Sequence, residues 1–501
     1  MKIQTEKFKI IVIKLKNRYI ILLLLVIWTS RSSAQQWDWW PLAINDTTPC
    51  ADTIQYSTYI SALGSSGKEV PFLLRTNQNG TIARTPISSN LSVGIVKSAT
   101  CPTRWWDYDF GVQLSGRIAN TAFTNNTMTS STTPTGYFEQ LYAHARLYVV
   151  DLTAGICPVV YGSQSSHLSM GGLLFSGNSH PIPRLTIGIN DYIAFPGLFG
   201  YVEIKGGVTY GWLDDNNVYV DDIKLHHKFI GLRLGGRWPI TLAYEMHHAA
   251  QWGGYKKALH SGETRVDYGN TVTDFWNVFL FRSGGISLSD QLNAQGNHIG
   301  FQELALTYKK DSWQVRAYWQ SLFEDMSAAF IGFGMNVADG LWGLNVQQQK
   351  WPFINEFTYE FLNTTSQSGP MHDKDGLVFA GRDSYYHNSA YPEGWTYFGT
   401  IIGNPYLQVN NSRVRAHFAG LGGNIYGYKY RLMGSHVNNY GTYQQPIYSA
   451  STALLLEVSH VVEKAWGMEF TLALSSDIGT QYGNSFGGYL RIAKRGIITK
   501  Y

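Results

Sequence analysis

Apolar and polar side chains alternate along many short stretches of the chain. In residues 240–247, Ile240, Leu242, Tyr244 and Met246 alternate with polar or small residues. The same period of two recurs at residues 142–149, 201–210, 230–235, 303–309, 313–320, 353–361, 426–432 and 468–474. Since successive side chains of a β-strand point to opposite faces, this pattern predicts strands with one face in an apolar medium and the other in a polar one.

Two architectures fit this alternation: a soluble all-β sandwich or propeller, and a transmembrane β-barrel. The apolar face is often aromatic, which favours a wall in contact with lipid. The polar face also carries charges, as a hydrated lumen allows, and these are Glu203, Lys205, Arg233, Glu245 and Arg316. We therefore favour the barrel.

The connections between the predicted strands differ in length. Residues 363–385 and 434–449 are long and polar, whereas residues 309–312 form a short turn. Outer-membrane barrels have long outer loops and short periplasmic turns. About 400 residues at roughly 22 per strand and connection give about 18 strands. The predicted fold is thus an all-β, transmembrane outer-membrane β-barrel of about 18 antiparallel strands with a small N-terminal helical segment.

The start of the chain has the features of an export signal. Six Lys or Arg residues lie among the first 18, an apolar run follows at residues 19–28, and Ser32-Ser33-Ala34 provides small residues for cleavage. Ten apolar residues are too few for a membrane-spanning helix, which needs about 20. Residues 1–34 are therefore predicted to be a signal peptide. Export to the outer membrane implies contact with its lipid and lipopolysaccharide, and with the barrel-assembly machinery during biogenesis.

The next residues do not alternate clearly. Tyr56, Tyr59, Ile60 and Leu63 have the spacing of one helix face, and Gly64, Gly67 and Pro71 interrupt it. We predict that residues 35–100 form a segment with short helices, on the periplasmic side or as a plug. Residues 101–501 are then the barrel.

The charge balance and the number of cysteines argue against two classes of protein, nucleic-acid-binding proteins and disulfide-rich scaffolds. Seven of the 39 Lys and Arg residues and one of the 35 acidic residues lie in residues 1–34, which leaves 32 basic against 34 acidic residues. A nearly neutral chain gives no reason to expect a nucleic-acid partner. The cysteines Cys50, Cys101 and Cys157 are too few for a disulfide scaffold. Cys50–Cys101 is the first pairing considered, with Cys157 left over, and the pairing remains open.

No catalytic or metal-binding pattern is convincing. Gly483–Gly487 matches G-x-S-x-G, but no acidic residue or histidine follows Ser485, so a turn before the last strand is the better interpretation. His226-His227 and His247-His248 would each place only one ring in the lumen. The remaining acidic motifs, at Asp214-Asp215, Asp221-Asp222 and Asp373–Gly376 with Asp383, lack a complete ligand set. We predict no enzyme activity, no cofactor and no metal.

Aromatic residues in polar, Gly-rich stretches are the better candidates for a binding role. Aromatic rings stack on the C–H faces of sugars, although they also form the girdle of a membrane barrel. The candidates for contact with polysaccharide are Trp252, Tyr255, Tyr385, Tyr386, Tyr391, Trp395 and Tyr397.

One stretch resembles a known family. Residues 161–188, YGSQSSHLSMGGLLFSGNSHPIPRLTIG, are similar to the signature region of the Wzi-type capsule assembly family, especially its members from Bacteroidetes. Further similar stretches follow the family's order, at residues 55–82, 200–212, 225–240, 247–254, 355–376 and 391–406. The resemblance implies an outer-membrane barrel of about 18 strands with a small helical element on its periplasmic side.

The resemblance also implies a function without chemistry, in which a lectin-like protein binds and organises capsular or another surface polysaccharide. The alternative is a porin-like channel for small solutes or saccharides, and a third possibility is an outer-membrane enzyme. An open lumen lined by charges would favour the channel. A lumen plugged by the N-terminal segment would favour the polysaccharide anchor.

Overall fold

The computed structural model describes residues 53–98, 105–120, 132–213, 217–260, 262–286, 291, 294–324, 338–367, 369, 372–374, 377–380 and 382–500. Its main feature is one closed sheet of 18 antiparallel strands. The strands are β1 (Thr53–Ser65), β2 (Ile87–Lys97), β3 (Trp106–Asn120), β4 (Thr132–Leu147), β5 (Val150–Ile156), β6 (Pro183–Ala194), β7 (Val202–Trp212), β8 (Lys224–Leu234), β9 (Ile240–Trp252), β10 (Asn297–Lys310), β11 (Trp313–Phe323), β12 (Gly340–Gln348), β13 (Glu356–Asn363), β14 (Val414–Ile425), β15 (Tyr428–Gly441), β16 (Pro446–Val462), β17 (Met468–Gly479) and β18 (Ser485–Lys500). The sheet closes because β1 pairs with both β2 and β18.

The alternation seen in the sequence separates the two faces of this wall. On β9, Ile240 and Leu242 are exposed on the outside, whereas Glu245 is buried on the inside. Leu242 lies beside Leu234 of β8 and Leu306 of β10, which are also exposed. Such rows of exposed apolar residues form an outer belt suited to lipid. The predicted barrel of about 18 antiparallel strands is confirmed.

The two ends of the barrel differ. At one end, the short-turn end, eight short connections link neighbouring strands, and each contains or adjoins an exposed aromatic residue. These residues are Trp105, Tyr148, Phe199, Trp238, Trp313, Trp351, Tyr426 and Trp466. Aromatic rings at one level around a barrel form the girdle typical of a membrane interface. The opposite, long-loop end carries most of the long connections.

The prediction of a separate N-terminal segment over residues 35–100 is wrong for most of its described part. Residues 53–65 form β1 and residues 87–97 form β2, so the barrel begins well before residue 101. Tyr59 and Ser61 face inward and Ile60 faces outward, so the helix-like spacing of Tyr56, Tyr59 and Ile60 is coincidental. Only residues 66–86, which contain helix α1 (Phe72–Arg75), lie between these strands.

A second difference concerns residues 434–449, which the sequence predicts to be a long connection. They belong mostly to β15 and β16, which are joined by residues 442–445. The short turn at residues 309–312 is confirmed between β10 and β11. The predicted signal peptide, Cys50 and Cys101 lie outside the described residues, and Cys157 is a free thiol.

The connections contain little further regular structure among the described residues. Helix α2 (Val272–Phe279) lies between β9 and β10, and a 3-10 helix (Glu463–Ala465) lies between β16 and β17. Small sheets are formed by Val220–Asp221 with Tyr255–Lys256 and Val266–Asp267, by His372–Lys374 with Leu377–Ala380, and by Thr396–Tyr397 with Thr400–Ile401. Within the described ranges, neither helix has the length and hydrophobicity needed to cross a membrane.

Candidate functional site

Three connections from the long-loop end fold into the barrel. They are residues 66–86 between β1 and β2, residues 157–182 between β5 and β6, and residues 382–413 between β13 and β14. Their apolar side chains share one buried cluster with inward-facing residues of the wall. We call these three segments the plug.

Glutamates on the inner wall bind residues 157–182. The Ser163 hydroxyl donates to Glu303 Oε1 on β10 at 2.5 Å. The Ser169 hydroxyl and the Met170 backbone N–H donate to the two oxygens of Glu360 on β13, at 2.7 and 2.5 Å. Both carboxyl groups are buried, and a buried polar group without a partner costs about 1–3 kcal/mol. The serine residues of this segment therefore provide the hydrogen-bond donors that the buried carboxyl groups of the inner wall need.

Glycines allow the chain to bend sharply beside these bonds. Gly171 has φ of 100°, a conformation that glycine adopts without steric cost. A Cβ on Gly172 would lie 2.6 Å from Gln164 Nε2 and 2.9 Å from the Phe175 carbonyl oxygen. The two glycines therefore allow residues 157–182 to pack tightly within the lumen.

The β13–β14 connection packs directly on this segment. Three side chains from it donate hydrogen bonds to main-chain oxygens of residues 171–174. These bonds are Trp395 Nε1 to Leu174 O at 2.8 Å, Asn404 Nδ2 to Gly171 O at 2.6 Å, and the Tyr386 hydroxyl to Leu173 O. Irregular backbone inside a barrel needs such partners, because unpaired carbonyls would be buried away from water. The two connections thus form a single packed body.

Helix α1 attaches the plug segment 66–86 to β17, in another part of the wall. The Phe72 backbone N–H donates to Asp477 Oδ2 on β17 at 2.8 Å. Its ring stacks on Tyr482, with centroids 4.3 Å apart and planes 8° apart, and meets the edge of Tyr406 at 4.7 Å. Tyr406 belongs to the β13–β14 connection. Phe72 therefore joins the plug segments to each other and to the wall.

A fourth contact region lies on β3 and β4. Arg117 donates to the Gly80 carbonyl oxygen at 3.3 Å, and the Tyr137 hydroxyl donates to the Thr81 carbonyl oxygen at 3.4 Å. The His180 ring lies edge-on to Tyr137 at 4.9 Å. Burial, with a smaller contribution from the positive charge of Arg117, lowers the pKa of His180 to about 4. His180 is therefore neutral in the plug at physiological pH.

The seven aromatic residues predicted to contact polysaccharide occupy three different places. Tyr385, Tyr386, Tyr391, Trp395 and Tyr397 lie in the plug, each with at most 6% of its surface exposed. Trp252 is buried on the outer face of β9, against Phe275 of helix α2. Tyr255 is partly exposed in the three-stranded sheet of the loops, with Arg265 over its ring at 4.1 Å. Burial of the first six rings counts against direct contact with an external sugar.

A cationic and aromatic surface lies at the long-loop end, where the two ends of the plug segment 382–413 meet the β15–β16 connection. The Arg413 Cζ atom is 4.0 Å from the ring centroid of Tyr443, and the Arg382 Cζ atom is 5.5 Å from it. The Tyr443 hydroxyl donates to the Ser366 carbonyl oxygen at 2.9 Å. We call Arg382, Arg413 and Tyr443 the rim cluster. Sequence analysis missed it because its members come from two different connections.

The paired histidines point to opposite faces of the wall, as predicted. His227 and His247 face the lumen, with His227 Nε2 3.2 Å from His247 Nδ1. His247 Nε2 lies 3.0 Å from Glu245 Oε2. His226 and His248 lie on the outer face. In the part of the chain that the structure describes, no group of three His, Cys, Asp or Glu side chains is arranged to hold a metal ion.

The other sequence motifs lie in turns and loops. Gly483 has φ of 76° in the turn before β18, and Ser485 is the first residue of that strand, so the turn interpretation of G-x-S-x-G is confirmed. Asp221 pairs with Lys257 at 2.9 Å and Asp222 with Lys224 at 3.0 Å. Asp214, Asp215, Asp375 and Gly376 lie outside the described residues.

Comparison with known proteins gives the fold. No protein-family model matches the chain, and no curated protein matches it. Among solved structures, one similar protein is Wzi of Escherichia coli, a carbohydrate-binding outer-membrane barrel involved in group 1 capsule assembly. The two chains align with a TM-score of 0.57 and 14% identity, over 87% of this chain and 84% of that one. OccK5 of Pseudomonas aeruginosa aligns with a TM-score of 0.45 and 10% identity over 90% and 98% of the two chains. OprD of the same organism aligns with a TM-score of 0.42 and 10% identity over 90% and 96%. The chain therefore has the fold of an outer-membrane β-barrel.

Proposed function

We propose that this protein is a non-conducting outer-membrane barrel that binds and organises capsular polysaccharide at the cell surface. The observation that carries the proposal is the plug. A channel needs a continuous water-filled path, whereas this lumen contains buried Trp395, Tyr385 and Tyr406 and buried hydrogen bonds to the wall. The proposal involves no catalytic step.

Two further observations support polysaccharide as the ligand. The sequence motifs at residues 161–188 resemble those of the Wzi-type family. The barrel also aligns with a carbohydrate-binding barrel over most of both chains. The same stretch, residues 161–188, includes most of the plug segment that binds Glu303 and Glu360. The resemblance therefore concerns the part of the molecule that closes the lumen.

The rim cluster provides a surface of suitable chemistry at the outer end. Guanidinium groups bind carboxylates and phosphates through charge-assisted hydrogen bonds. Aromatic faces provide stacking area for sugar rings. We therefore place an acidic polysaccharide at Arg382, Arg413 and Tyr443, rather than at the buried aromatics of the plug.

The test is to delete the gene and measure cell-attached and shed polysaccharide, with the total in both strains. The proposal predicts unchanged total polysaccharide and a much larger shed fraction, restored by the wild-type gene. The purified protein should also give no conductance steps in planar bilayers. Unchanged attachment would contradict the anchor function, and regular conductance steps would favour the porin-like channel.

A further inference from the structure

A patch of polar side chains lies on the lipid-facing side of the wall. His226 and Lys228 on β8, His248 on β9 and His298 on β10 share the face of Ile230, Leu242 and Leu304. Those three apolar residues are 64%, 40% and 40% exposed, whereas the histidines are buried. Some other part of the protein must therefore cover the outer wall here.

Helix α2 and the residues that follow it form this cover. The rings of Phe275 and Phe279 lie 5.7 and 5.0 Å from that of His226. The ring of Phe281 lies 4.0 Å from that of His248. Lys228 donates to the Phe279 carbonyl oxygen and lies 4.6 Å from the Phe279 ring centroid.

The helix is held firmly in this position. The Thr271 hydroxyl accepts from the Asp274 backbone N–H, and the Asp274 carboxyl accepts from the Thr271 N–H, which forms a capping box. Gln295, just before β10, also donates to Asp274 at 2.8 Å. Val278 is fully buried against Ala250 and Trp252 of β9. The helix is therefore a fixed part of the outer wall.

The polar patch lies at a height along the barrel axis where the outer wall faces the hydrocarbon of the membrane. His248 is eight residues from Ile240 along β9, and at about 3.3 Å per residue and about 40° tilt this is about 20 Å along the barrel axis. The apolar band of an outer-membrane barrel is about 25 Å tall. Polar side chains at this height would face hydrocarbon, where charged groups on the lipid face destabilise a barrel.

The opposite face of the helix is apolar and exposed. Val272, Trp276 and Leu280 follow one another at intervals of four residues, and they are 75%, 49% and 46% exposed. Residues at this spacing lie on one helix face. The exposed Ile230, Leu242 and Leu304 lie on the same outer face, between the covered patch and the short-turn end, so the helix extends the apolar belt towards the long-loop end.

We propose that helix α2 is a lipid-contacting element of the barrel, whose Val272–Trp276–Leu280 face packs against acyl chains of the leaflet nearest the long-loop end. The helix covers part of the outer wall that would otherwise expose polar side chains to lipid, namely those of His226, Lys228, His248 and His298. The helix thus continues the belt across strands β8–β10. This inference does not depend on the ligand of the barrel.

Nitroxide labels would test the proposal. Val272→Cys and Trp276→Cys are made with Cys50→Ser, Cys101→Ser and Cys157→Ser, labelled, and reconstituted in phosphatidylcholine vesicles. Collision rates are measured with oxygen, which enters hydrocarbon, and with a water-soluble nickel chelate. Leu242→Cys is the control for the belt, and Thr264→Cys is the control for an exposed loop.

The oxygen-to-nickel collision ratio at positions 272 and 276 should match that at position 242 and exceed that at position 264 severalfold. A ratio equal to that at position 264 would place the helix in water and overturn the proposal. Protection from both reagents would also overturn it, in favour of contact with a second copy of the chain. If Trp276→Cys does not fold, Val272→Cys carries the test, because Val272 is 75% exposed.

Discussion

The indole of Trp395 meets the ring of Phe175 edge-on, with centroids 5.8 Å apart and planes 67° apart. The two residues belong to different connections, one after β13 and the other after β5. In their described residues, neither connection has a regular element large enough to fold alone, so each provides the packing surface of the other. The packing inside the lumen therefore depends on contacts between segments that are distant in sequence.

Trp395→Ala should loosen the plug. Truncation of a buried Trp costs about 3–5 kcal/mol, and it also removes the hydrogen bond to Leu174. We expect fluctuating conductance in planar bilayers, whereas the proposed function predicts a silent wild-type protein. Phe398→Ala is the matched control, because Phe398 lies in the same small hairpin and is 53% exposed. Silent bilayers for both variants would show that the seal does not depend on Trp395.

Glu360→Gln should release residues 165–175 from the wall. An amide offers one acceptor oxygen where the carboxyl accepts bonds from Ser169 and Met170 on two oxygens. A loss of about 1–3 kcal/mol corresponds to local hydrogen exchange that is faster by about fivefold to 150-fold. The exposed Glu463→Gln at the short-turn end is the control. Equal exchange of these amides in the variant and the wild type would contradict the assigned role of Glu360.

The double variant Arg382→Glu, Arg413→Glu should weaken polysaccharide retention if the proposed function is correct. Hydrogen bonds to charged groups are worth about 1.5–3 kcal/mol, so binding should weaken about tenfold or more. The shed fraction should approach that of the deletion strain. Lys464→Glu, which changes an exposed charge at the short-turn end, should retain polymer normally. Normal retention in the double variant would remove the rim cluster as the binding surface.

Acidification should loosen the plug around His180. Its folded-state pKa is about 4 against an ordinary 6.5, so the released segment takes up a proton more readily than the packed one. The stability that neutral His180 contributes is complete above pH 6.5 and is lost as the pH falls towards 4. Hydrogen exchange of residues 176–182, corrected for intrinsic rates, should therefore rise between pH 7 and pH 5.

The control for this prediction is His180→Gln, which keeps a polar side chain of similar size but does not titrate in this range. Its exchange should not change between the same two pH values. A wild-type profile as flat as that of the variant would show that protonation of His180 does not destabilise the plug.

The strands of the barrel wall were predictable from sequence because the alternation that identifies them arises within each strand. A strand between lipid and a polar lumen must alternate, and β9 does so from Ile240 to Met246. The pattern failed where the outer side chains are small or polar. In β1, Thr58 and Ala62 flank Ile60 on the outer face, and in β15, Gly434 and His436 occupy outer positions. Therefore neither β1 nor the part of β15 after Leu432 has the strong apolar row that would identify it.

The site was much less predictable. Whether an aromatic residue in a connection lies in the plug or at the surface depends on contacts such as Ser163 with Glu303, which are 140 residues apart. Tyr385 and Tyr255 occur in similar polar contexts, yet one is buried and the other partly exposed. The charges on the inner wall were the available signal, because a buried carboxyl needs donors from some other segment.

If the barrel holds a long polymer, as proposed, the aromatic residues at the eight short turns have a mechanical consequence. Drag on such a polymer would pull the barrel along its axis, away from the cell. Rings such as Trp238, Tyr426 and Trp466, all exposed at the short-turn end, would then have to leave the interface and cross the hydrocarbon. Because these rings surround the whole circumference, they resist both tilting and extraction, and the force is shared among all the strands.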